Sequence, residues 1–112
     1  MTNLEIANKI HDLAMELADA AADIAKTKGQ VGLSLQNLSQ AYLLERAAAL
    51  RLQIESDENE WKYLFLKSAG WLAYQLGYYE EALQLVDLGL SGQPKGLAAH
   101  RLEELKKEVI KK

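Results

Sequence analysis

The chain of 112 residues reads as an all-α protein: about five antiparallel helices arranged as hairpins and closed by a C-terminal helix. Three observations point there. Leu and Ala dominate a hydrophobic content of 49%, and they lose little on entering a helix. Apolar residues recur at intervals of three and four along most of the chain. The segments so marked are separated by short breaks carrying Gly, Asp or the single Pro.

The first helix opens on Thr2 and Glu5, the spacing of a capping box. Leu4, Ile6, Ile10, Leu13, Leu17, Ala21 and Ile24 form one wide stripe, and Gly29 with Gly32 should end it. A second helix is expected from about Leu33 to Glu55. Leu35, Leu38, Tyr42, Ala49 and Leu52 trace one face, and Leu43, Ala47, Leu50 and Ile54 another. Two apolar faces imply contacts on two sides, either with the rest of the chain or with a second copy of it.

Residues 56–60, Ser-Asp-Glu-Asn-Glu, form a polar link in which Asp57 can cap the next helix. They lack the alternating ligands and central glycine of a calcium loop. The third helix should run from about Glu60 to Leu76 and stop at Gly77, and the fourth from Tyr79 to Leu90, closed by Gly92 and Pro94. In the fifth, Leu97 to Ile110, Ala98, Leu102, Leu105 and Val109 make a single buried stripe with charges elsewhere.

Gly77 to Pro94 joins a helix break, an acidic first turn, a small residue at Ala82 and a proline stop. Residues 63–96 resemble the tetratricopeptide repeat in its frame of about 34 residues. With Pro94 on the closing proline, Gly70 falls on the glycine of the first helix and Gly77 in the turn. Tyr79, Glu81 and Ala82 open the second helix, and Gly89-Leu90 is the small-then-large pair near its end. Leu66, Ala73 and Val86 depart from the usual aromatics but stay apolar. Small residues at 70, 82 and 89 suit helices that cross closely, since mid-helix glycine is otherwise unfavourable. A weaker copy aligns Gly29 with Gly77, Ser34 with Ala82, Leu38 with Val86 and Ala41 with Gly89, its extra length lying in a longer second helix. The resemblance thus implies one domain, a right-handed superhelical stack with a degenerate hairpin over 3–56, a better-matching one over 60–94 and a capping helix over 97–110. Small bacterial proteins of this repeat-like kind are similar in layout.

Chemistry finds little purchase. Cysteine is absent, excluding disulfides and thiolate metal sites. His11 and His100 stand far apart in sequence, and no histidine pair has metal-ligand spacing. Gly29-Gln30-Val31-Gly32 is followed by no lysine and hydroxyl of a phosphate loop. Ser34, Ser39, Ser56, Ser68 and Ser91 have no base arranged around them in sequence. Neither an enzyme nor a cofactor or metal site is expected. A net charge of −3 speaks against nucleic acid, and no apolar run approaches a bilayer span. The start carries no secretion-signal pattern, so a cytoplasmic protein is expected.

What remains is binding of a protein or peptide. The resemblance implies ligands on the inner face of each hairpin's first helix. That face carries Lys67, Trp71, Tyr74 and Gln75, with Glu16, Asp19, Asp23 and Lys26 from the first hairpin and Arg101 at the border. The rival expectation is a self-associating structural protein, a homodimer through the surplus stripe of helix two; a small ligand-binding bundle ranks below both.

Overall fold

A computed structural model describes residues 2–27, 29–53 and 61–112. Within them the chain is all-α: α1 (Asn3–Ala25), α2 (Val31–Gln53), α3 (Trp61–Gln75), α4 (Tyr79–Ser91) and α5 (Gly96–Ile110). Consecutive helices lie against one another, and α5 rests on both α4 and α3. The outline is a slab of 45 × 38 × 20 Å, its thickness that of about two helices.

The helix boundaries follow local chemistry. Thr2 and Glu5 close the capping box, the Thr2 hydroxyl accepting from Glu5 N–H. α1 ends at Ala25, a turn before the expected stop, and Gly29 at φ 88° turns the chain. α2 starts at Val31 and takes Gly32 into its first turn, where the backbone N–H groups lack helical partners in any case. Its expected end at Glu55, the 56–60 link and the start of the third helix at Glu60 lie outside the described residues.

At the end of α3, Gly77 takes φ 83°, Tyr78 N–H donates to Ala73 O at 2.8 Å and Gly77 N–H to Tyr74 O at 3.0 Å. This paired pattern is the Schellman motif, which satisfies two carbonyls the helix end would leave bare.

Three cross-helix bonds set the registers. Ser34 donates to Ala21 O at 2.7 Å and Arg51 to Asn3 at 3.1 Å, so α1 and α2 run antiparallel over nearly their whole length. Tyr63 donates to Gly92 O at 2.8 Å, tying the start of α3 to the end of α4. The core is continuous: Ala7, Tyr42, Ala49, Leu52, Phe65, Leu66, Val86, Leu102 and Leu105 are all buried within it.

The small residues Gly70, Ala82 and Gly89 sit where helices press closely together. A methyl group added at Gly70 would come 3.2 Å from Leu105 Cδ2 and 3.4 Å from Val86 Cγ2; one at Gly89 would come 2.9 Å from Leu102 Cδ1. Ala82 is fully buried, and its carbonyl oxygen would lie 3.7 Å from that group at Gly70. Three helices therefore meet at these positions, with α5 seated on the α3–α4 pair. Pro94 is half-buried in the link to α5.

One face of α2 differs from the expected one. Leu35 is 49% exposed and Leu33 47%, although the sequence places Leu35 on the core stripe. Tyr42 meets Tyr78 at the turn between α3 and α4, so the first turns of α2 lie past the end of α3. The surplus stripe is open as well: Leu43 and Ala47 are exposed and Leu50 is half-buried, while Ile54 lies outside the described residues.

Candidate functional site

Two open depressions lie between α3 and α5. The first, about 350 Å³, is lined by Trp61, Tyr63, Leu64 and Lys67 from α3 and by Leu97, Ala98 and Arg101 from α5. The second, about 560 Å³, is lined by Lys67 and Trp71 with His100, Arg101, Glu104, Leu105 and Glu108. Lys67 and Arg101 line both and so mark the saddle between them.

Helical spacing explains the arrangement. Leu64, Lys67 and Trp71 are i, i+3 and i+7 on α3, one stripe. Leu97, Arg101 and Glu104 make the facing stripe on α5 by steps of four and three. Both stripes stay open because the core uses the neighbouring faces: Leu66, Ala69 and Ala73 on α3, Leu102, Leu105 and Val109 on α5.

The expected groove residues are thus partly united. Lys67, Trp71 and Arg101 come together; Trp71 is 41% exposed and stacks on Tyr74, their ring centroids 5.5 Å apart. Tyr74 is half-buried, touches Tyr79 and carries Lys112 Nζ over its ring at 5.8 Å, while Gln75 is exposed at the end of α3. Asp19 and Asp23 are exposed on α1 and line neither depression; Asp23 faces Lys26 at 3.6 Å. The reason is topological. α3 contacts α2 on one flank and α5 on the other, and the depressions open on the α5 flank. Trp61, Leu64 and Leu97 were not singled out in the sequence, although Leu64 stands one helical step from Lys67, Leu97 one step from Arg101, and Trp61 one further step along the α3 stripe from Leu64.

A second polar cluster lies in the core. The Glu45 carboxylate, fully buried on α2, has its oxygens 2.7 and 2.8 Å from His11 Nδ1 on α1, and Ser68 on α3 is near enough to favour its charged form. The His11 ring stacks on Phe65 at 4.6 Å. Burial pushes the Glu45 pKa above the ordinary range, against the opposing pull of Ser68 and His11. Side chains of three helices converge around one carboxylate.

Ser68 thus has an ionisable neighbour that spacing along the sequence does not show. The order is wrong for nucleophile activation, however. A hydroxyl nucleophile needs the imidazole beside it and the acid behind; here the acid stands in the middle. Nearby, the Tyr42 hydroxyl donates to Glu81 on α4, and burial first, then Glu81, raises the tyrosine pKa. Among the described residues, no group of three or more His, Cys, Asp or Glu side chains is placed to hold a metal ion, and no helix is long and apolar enough to cross a membrane.

No protein-family model matches the chain, and no curated protein or solved structure matches it either.

Proposed function

We propose that the chain is a non-catalytic protein-interaction module, an adaptor or scaffold that receives a polypeptide partner between α3 and α5. The observation that carries this reading is the meeting of Lys67, Trp71 and Arg101 on one open surface beside exposed Trp61 and Leu97. Exposed aromatic side chains offer large rigid contact area at small entropic cost, which is why they anchor interfaces.

The tetratricopeptide-like stacking belongs to the same proposal. Lys67 and Arg101 line common depressions yet are separated in sequence by the repeat period of about 34 residues. On this reading α5 takes the place of the first helix of a following repeat, and the partner lies along first helices. The protein acts in the cytoplasm on this reading, without nucleic acid, membrane or cofactor.

The experiment is capture of partners from the native cell by wild type and by a folded Trp71→Ala, Lys67→Glu variant. Wild-type capture lost in the variant supports the reading; equal capture by both removes the α3–α5 surface from it.

The second reading is self-association through α2, favoured by exposure of Leu43 at 59% beside exposed Ala47. Light scattering at tens of micromolar separates the two: a dimer that Leu43→Glu breaks supports it, and a monomer ends it.

A further inference from the structure

Among the described residues around the α3–α5 depressions, Lys67 and Arg101 are the cations left without a charge partner. On α5, Lys107 pairs with Glu104 at 3.2 Å, Lys111 with Glu108 at 3.5 Å, and Lys106 with Asp87 of α4 at 2.9 Å. The two carboxylates of the second depression are thus already matched by lysines of their own helix. Lys67 and Arg101 make no ion pair or hydrogen bond among the described residues. Among the described residues, the lining of the first depression holds no carboxylate, although acids outnumber bases in the chain as a whole. Two like charges share one saddle, with apolar walls on both sides. Such walls lower the local dielectric and strengthen any charge pairing formed there.

We infer that the occupant is an acidic polypeptide segment. Its carboxylates meet Lys67 and Arg101, while one apolar side chain enters between Trp61, Leu64 and Leu97 and another lies on Trp71. The order of the α3 stripe, apolar, cation, aromatic over two turns, is the complement of a segment patterned apolar, acid, apolar at steps of three to four. This inference rests on the interaction-module reading and adds the sign of the partner's charge and its spacing.

The test is selection from a random displayed-peptide pool of about 12 residues, run in parallel on wild type and on a Lys67→Glu, Arg101→Glu variant. Circular dichroism confirms that the variant keeps its helices; if it does not, Lys67→Gln, Arg101→Gln takes its place and should lose the acidic preference. Wild type is expected to enrich acidic peptides with flanking apolar residues, and the reversed variant basic ones. For the best peptide, exchanging its acids for lysines should weaken binding to wild type by about tenfold or more.

Enrichment of neutral or basic peptides by wild type would overturn the inference but leave the interaction module standing. So would identical peptides from both proteins. Enrichment of nothing would remove both. Binding to phosphatidylglycerol vesicles in place of peptides would assign the two cations to a lipid surface and likewise overturn the inference.

Discussion

Glu45 and His11 face one another from neighbouring helices, both carboxylate oxygens within 2.8 Å of one ring nitrogen. The carboxylate is fully buried and the histidine side chain 23% exposed, so the pair holds an acid inside the core with one edge toward solvent. Desolvation, the largest influence on Glu45, favours its protonated form.

That gives a pH dependence with a definite sign. Folded Glu45 holds its proton more tightly than unfolded Glu45, so its stabilising contribution is complete below the ordinary value of 4.5 and is lost as pH rises through the raised folded value. Glu45→Gln cannot titrate there. Urea unfolding from pH 4.5 toward neutrality should therefore show wild type losing ground to the variant as pH rises. A difference that stays flat across this range would show that burial does not shift Glu45.

Tyr42→Phe removes the hydroxyl that donates to Glu81 and leaves the buried ring in place. A cost of about 1 kcal/mol is expected, the net worth of one such bond. Glu81→Gln keeps an acceptor and should cost less. A Tyr42→Phe variant as stable as wild type in urea would show that the bond adds nothing.

Gly89→Ala should destabilise, since the new methyl would crowd both Leu102 methyl groups, at 2.9 and 3.2 Å, in a buried position. Overpacking costs about 1–3 kcal/mol, and alanine returns about 1 kcal/mol in helix propensity. Gly70→Ala meets Leu105 at the less severe 3.2 Å and should lie nearer to neutral. Trimming Leu102 to Ala should make the Gly89→Ala change favourable, so the double mutant will be more stable than additivity allows.

Gly77→Ala tests backbone alone, because nothing lies within 4 Å of a group added there. Its φ of 83° should cost an L-residue about 1–2 kcal/mol. Gly77→Asn should cost less, asparagine entering that region more readily. Thermal melts of the two variants give the ranking.

The elements most legible in the sequence were those fixed by neighbours along the chain. Thr2 with Glu5, Gly77 after α3, and the Leu102–Leu105–Val109 stripe all declare themselves within two helical turns. Glu45 did not, although it stands three residues after Tyr42 and four before Ala49, on the buried side of α2. Its partners come from α1 and α3, and spacing within α2 carries no trace of them. The candidate site divides the same way. Lys67 and Trp71 follow from one helix, while their company with Leu97 and Arg101, and their distance from Asp19, depend on which flank of α3 each neighbour takes.

The two-sided character of α5 bears on engineering. Its inner side supplies Leu102 and Leu105 to the core, while Glu103, Lys107 and Ile110 face water. Repainting that wet side with alanine and leucine would give an additional helical pair something to lie on. Chain extension by grafted modules would then lengthen the proposed docking surface without disturbing the Leu102–Gly89 seat beneath it.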